Sequence, residues 1–183
     1  MMTKPCTLLL ALALAASGFP ALAADGGRAI AMDLGRSPSN AARGRAELDI
    51  YRIGYQWDFN RTLWQGEHAD IGGYFEASLN HWDSPFDDVT AAAISPVFRL
   101  TFGSALGSYR PYIEAGIGLA LLSDDRVGGR GLGSSWQFEN RIGLGLASAR
   151  FDFHYRYMHY SNADIEKPNH GIDAHVIGVG YRF

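Results

Sequence analysis

The feature that most constrains this chain is an alternation of period two that runs to its last residue. The segment DAHVIGVGYRF places Ile177, Val179, Tyr181 and Phe183 on one face of a strand, because successive side chains of a strand point to opposite sides. The pattern recurs upstream. Tyr51, Ile53, Tyr55, Trp57 and Phe59 alternate with Arg52, Gly54, Gln56 and Asp58, and Ile71, Phe75, Ala77 and Leu79 alternate with Tyr74, Glu76, Ser78 and Asn80. Ile94, Phe98, Leu100 and Phe102 oppose Ser95, Arg99 and Thr101, while Ile113, Ile117 and Leu119 oppose Glu114, Gly116 and Gly118. Phe138, Ile142 and Leu144 oppose Gln137, Glu139 and Arg141. In every segment charge sits on one side only.

Such strands suit two architectures. In a water-soluble sandwich the charged face is solvated and the apolar face is the core. In a membrane barrel the apolar face meets lipid and the charged face lines the interior. A strand ending on an aromatic residue favours the barrel, as does the number of segments. Eight fall near 28–35, 46–59, 69–82, 90–102, 110–121, 135–147, 149–161 and 173–183. An even number closes without a free edge, as lipid requires, since it offers no water to an unpaired backbone group. The expectation is an all-β fold: an eight-stranded antiparallel transmembrane β-barrel of the outer membrane, its interior filled by side chains. With both ends in the periplasm, residues 36–45, 83–89, 122–134 and 162–172 form the external connections. The Gly-rich SDDRVGGRGLGSS is then a loop, and it lacks the spacing of a phosphate-binding motif.

The start of the chain indicates the compartment. MMTKPCTLLLALALAASGFPALAADGG carries one Lys, an apolar run too short to span a bilayer, and the small-residue pattern Ala21-Leu22-Ala23. It reads as a secretory signal peptide, residues 1–23, leaving a single barrel domain over 24–183. The only cysteine, Cys6, lies in that leader, so the mature chain has neither disulfide nor thiol nucleophile. A net charge of −3 without a basic patch argues against nucleic acid as a partner.

Against this background HYSNADIEKPNHGID, residues 159–173, stands out. In the seventh segment Phe151, Phe153, Tyr155, Tyr157, His159 and Ser161 share the lipid face, whereas His154, Arg156, Met158 and Tyr160 point inward. Stepping back by twos from Phe183 puts His175 and Asp173 on the lipid face as well. Ten residues at about 3.4 Å, tilted about 40°, rise roughly 26 Å, so Asp173 reaches the outer headgroup level, with His159 and Ser161 beside it on the neighbouring strand. A hydroxyl, an imidazole and a carboxylate can meet there, which is what ester hydrolysis by an activated serine requires. Each residue alone is also an ordinary strand-end or turn residue. His154, His170 and His175 fall inside, in a loop and outside, so they form no zinc set.

HYSNADIEKPNHGID, with YRIGYQWDFNRTLW and YIEAGIGLALLSDDRVGGRGLGSSWQFENRIGLGL before it, resembles the lipid A 3-O-deacylase family of the PagL type over nearly the whole mature chain. The resemblance implies an eight-stranded outer-membrane barrel with a Ser-His-Glu triad on its outer surface, hydrolysing the acyl ester at the 3 position of lipid A without metal or cofactor. Ser161 matches the nucleophile and His159 the base. Asp173 stands where the family commonly has Glu, and Asp164 where a Gly is familiar. Asn162 and Asn169 match asparagines that resemble oxyanion-hole or site-supporting residues. The implied partners are lipopolysaccharide and outer-membrane lipid, and the sequence does not give an oligomeric state. Two other readings stay open at this stage: a non-catalytic small barrel that binds ligands or surfaces through its loops, and an acyltransferase barrel with an interior acyl pocket. The inward-outward parity of the seventh segment speaks against the second.

Overall fold

The computed structural model describes residues 27–103 and 106–183; the expected signal peptide lies outside the described residues. Eight long strands follow one another: β1 (Arg28–Ser37), β2 (Leu48–Asp58), β3 (Ala69–Asp83), β4 (Asp88–Phe102), β5 (Arg110–Leu122), β6 (Trp136–Ala147), β7 (Phe151–Ser161) and β8 (Ile172–Arg182). Each pairs antiparallel with its sequence neighbours, and β8 pairs back onto β1, so the meander closes into a barrel with no free edge. These strands fall within a few residues of the eight read from the alternation.

The barrel is inside out relative to a soluble protein. Met32, Ile53, Leu79, Ile94, Ile117, Ile142 and Ile177 are exposed on the outer wall, whereas Arg52, Glu76, Glu139, Arg141 and Arg156 are buried within it. This excludes the water-soluble sandwich, in which the apolar face would be the covered one. It is the arrangement lipid demands, because charge on the lipid face is costly at mid-bilayer while the lumen accepts it.

The interior has two tiers. In the charged tier Arg52 bonds Asp33 and Glu76, Arg156 bonds Asp33 and Glu114, Arg99 bonds Glu114 and Asp152, and Arg141 bonds Glu76. His154 bridges two carboxylates, Nδ1 to Asp152 at 2.7 Å and Nε2 to Asp33 at 2.6 Å. Buried charges are tolerable here because each has several partners of opposite sign. Toward the loop end the lining turns apolar: Leu48, Ile50, Trp82, Met158, Tyr160 and Ile172 are buried together, and the Trp82 and Tyr160 rings meet edge to face at 4.7 Å.

A finding beyond the sequence reading is what closes this tier. Part of the Gly-rich stretch expected as a plain loop pairs as a small hairpin, Arg126–Val127 with Arg130–Gly131. Gly128 and Gly129 make its tip, with φ of 55° and 76°, a backbone that favours glycine. The hairpin seats Val127 and Leu132 in the apolar tier, both fully buried. The Arg130 guanidinium donates to Ala46 O at 2.7 Å and Pro38 O at 2.8 Å, tying this loop to the one between β1 and β2.

Candidate active site

Inter-strand register assembles the site. β7 pairs with β8 so that His159 lies directly opposite Asp173 and Tyr157 opposite His175. On its other side His159 faces Asn140 of β6, and Ser161 faces Phe138. Outward parity holds along β7. Phe151, Phe153 and Tyr155 are exposed and Tyr157, His159 and Ser161 partly so, while His154, Arg156, Met158 and Tyr160 are buried.

The imidazole and the carboxylate are joined: His159 Nδ1 lies 2.7 Å from Asp173 Oδ1. A carboxylate only accepts, so this contact puts a proton on Nδ1. In a neutral ring it leaves Nε2 as the acceptor, the tautomer a general base needs. Ser161 sits two residues beyond His159 on the same face, about 7 Å along the strand; among the described residues no hydrogen bond links its hydroxyl to the imidazole. Contacts of this kind are often open without substrate and tighten when it binds.

Glycine covers the other edge of the imidazole. At Gly171, φ is 63°, and a Cβ there would stand 3.2 Å from His159 Cε1 and 3.8 Å from Nε2. A Cβ here would be crowded against the ring in a left-handed backbone that residues with side chains rarely adopt, so glycine suits the position.

Beyond Ser161 the chain turns at once. Ala163 and Asp164 both have positive φ, 55° and 64°, and Ile165 N donates to Asn162 O at 3.2 Å, a type I′ turn. Asp164 thus occupies a left-handed position of the kind glycine adopts freely. Lys167 at 2.7 Å and Asn169 hold its carboxyl below the usual carboxylate range.

The two asparagines belong to this loop. Asn162 is fully buried, its Nδ2 donating to Leu132 O at 2.9 Å, Glu166 O at 3.0 Å and Ser134 Oγ at 3.3 Å. Asn169 Oδ1 accepts from Asn162 N at 3.4 Å. His170 adds a second tie: its N donates to Gly131 O at 3.0 Å while Gly131 N donates to its Nδ1 at 3.1 Å. The site loop is therefore strapped to the Gly128–Gly129 hairpin.

Sequence reasoning did not single out Gly171, Asn140, or a polar partner for Tyr157. Asn140 had left a readable signal, being the one amide among Phe138, Ile142 and Leu144 on the lipid face of its strand. Gly171 carries no such mark, since a glycine in a turn is ordinary.

A closed barrel with an apolar outer wall and a charged lumen defines an outer-membrane protein. A family model described as lipid A 3-O-deacylase (PagL) matches residues 49–182. The chain is 40% identical over 142 residues to the lipid A deacylase PagL of Pseudomonas aeruginosa, covering 76% of this chain and 80% of that protein. To the lipid A deacylase PagL of Bordetella bronchiseptica it is 35% identical over 132 residues, covering 67% and 71%. A crystal structure of the outer membrane enzyme PagL superposes with a TM-score of 0.75 at 32% identity, covering 85% of this chain and 99% of that one. The chain belongs to the lipid A 3-O-deacylase (PagL) family, and is an ester-hydrolysing enzyme of the outer membrane.

Proposed function

We propose that this protein removes the acyl chain esterified at the 3 position of lipid A, using Ser161 as nucleophile, His159 as general base and Asp173 as the acid, on the outer wall of the barrel at the level of the outer leaflet. The observation that carries this reading is the His159–Asp173 contact of 2.7 Å between directly paired outward residues, with Ser161 on the same face. Family membership supplies the substrate.

The chemistry follows from these groups. Ser161 Oγ attacks the ester carbonyl as its proton passes to His159 Nε2, and Asp173 holds the ring and stabilises the imidazolium. The tetrahedral intermediate collapses, breaking the bond to the sugar oxygen, which takes the proton back from Nε2. Water, deprotonated by the same nitrogen, then attacks the acyl-serine, and the fatty acid leaves with Ser161 restored. Asn162 and Asn169 support the site by holding the loop that follows the serine.

Placement outside the barrel suits a lipid substrate. Lateral neighbours of Ser161 on β6 and β5 are Phe138 and Leu119, so an acyl chain leaving the serine meets apolar wall. The interior is filled by the buried tiers, which favours this over an interior acyl pocket. Mass spectrometry of lipid A from cells with and without the protein tests the reading. The expected result is loss of one acyl chain from the 3 position, and identical lipid A in both would overturn it.

A further inference from the structure

We propose that Tyr157 is a positioning residue of this site, acting through Asp173. The inference rests on the triad reading above and adds a member to it.

Three observations converge. First, the Tyr157 hydroxyl donates to Asp173 Oδ1 at 2.5 Å, the same oxygen that receives His159 Nδ1 at 2.7 Å. Second, Tyr157 is two residues below His159 on the outward face of β7 and diagonal to Asp173 across the β7–β8 pair, where long side chains reach one another. Third, its ring is held in place. His175, directly opposite, lies 5.4 Å away centroid to centroid, and His175 Nδ1 shares a hydrogen bond of 2.7 Å with the Tyr155 hydroxyl. A polar seam thus descends the lipid-facing wall from His159 through Asp173 and Tyr157 to His175 and Tyr155.

The physical need for such a member follows from location. Asp173 is more than half exposed on the outer wall, so packing does not hold its carboxyl group and its orientation rests on the hydrogen bonds it accepts. One donor leaves a carboxylate free to swing about its Cβ–Cγ bond. Two donors from one strand, converging on a single oxygen, pin that oxygen where the imidazole needs it, and bonds to a charged acceptor are the stronger kind. Because its partner is Asp173 and not the ester, Tyr157 acts on turnover through the orientation of His159.

The test uses the full-length protein refolded into mixed micelles with lipid A, with rates normalised to the folded fraction. Tyr157→Phe keeps the ring and the apolar wall but deletes the donor. The expected result is a kcat lowered roughly tenfold with KM unchanged. In an Asp173→Ala background, followed with enzyme in excess over substrate so that slow turnover can be read, the same substitution is expected to change nothing further. Wild-type kcat in Tyr157→Phe would overturn the proposal, as would an equal loss in both backgrounds, which would mean that the hydroxyl acts independently of the acid. A change confined to KM or to the chain length released would place the hydroxyl in the acyl groove instead and would also overturn it. Ser161→Ala run beside these variants separates the two levels: activity there would overturn the triad reading itself, whatever Tyr157 does.

Discussion

His159 and Asp173 face each other directly across β7 and β8, and the imidazole Nδ1 lies 2.7 Å from the carboxylate Oδ1. Barrel register, not loop conformation, sets this distance, so a short aspartate spans the gap. Cross-strand partners stand close enough that one carboxyl arm suffices.

The first expectation concerns that acid. Asp173→Asn keeps the shape but removes the charge that fixes the tautomer, and kcat is expected to fall by roughly 10⁴-fold, as loss of charge does in serine triads. Asp173→Glu, one methylene longer on the same strand position, is expected to retain much of the rate. A deacylation time course checks both, and equal rates for Asp and Asn would remove Asp173 from the site.

Gly171 offers a second test from the opposite edge of the ring. Gly171→Ala places a methyl 3.2 Å from His159 Cε1 and an L-residue at a φ of 63°, a backbone costing roughly 1–2 kcal/mol for a residue with a side chain. The barrel is expected to fold while kcat falls severalfold, because the imidazole must give by a few tenths of an ångström and turnover is sensitive to misplacement of the base. Full activity in a folded Gly171→Ala protein would show that the imidazole tolerates displacement.

The third concerns the strap beneath the site. Asn162 donates to Leu132 O, Glu166 O and Ser134 Oγ, so Asn162→Asp replaces a donor by an oxygen aimed at carbonyl oxygens. Leaving buried groups unpaired costs about 1–3 kcal/mol each. Asn162→Asp is expected to lower activity more than Asn162→Ala, with the strands intact, and protease digestion is expected to cut the 162–171 loop faster. Wild-type activity in both variants would contradict a supporting role for the amide.

A fourth separates stability from chemistry. His154 bridges Asp33 and Asp152 within the charged tier, so His154→Ala leaves two carboxylates without their shared partner. Both carboxylates keep arginine partners, Asp33 with Arg52 and Arg156 and Asp152 with Arg99, so the loss costs about 1–3 kcal/mol, that of buried acceptors left short of a donor. The expected outcome is unfolding at lower temperature in detergent with unchanged kcat per folded molecule, read by the electrophoretic mobility of unboiled and boiled samples.

Much of this architecture is legible in the sequence because parity is a backbone property. Alternation alone put Phe151 to Ser161 on one face and His154 to Tyr160 on the other, and stepping back from Phe183 put Asp173 on the outer wall. Which partners those side chains choose is decided by packing between segments. The family resemblance drew attention to Asn162 in the sequence, but only the fold buries its amide beneath the site loop. Tyr157 could be placed on the lipid face, yet its bond to Asp173 depends on the β7–β8 register. The Gly128–Gly129 hairpin carried a readable turn signal, a pair of glycines at the tip. Its role as a stopper depends on Val127 and Leu132 meeting Trp82 and Tyr160 from distant strands.

The most direct measurement is the product of purified, refolded wild-type and Ser161→Ala proteins acting on lipid A in mixed micelles, followed by mass spectrometry of both the lipid A and the released fatty acid. The account predicts release of the 3-linked acyl chain by the wild type and none by Ser161→Ala, with equal folded fractions. Release by Ser161→Ala at the wild-type rate would contradict it and place the reacting group elsewhere on the molecule.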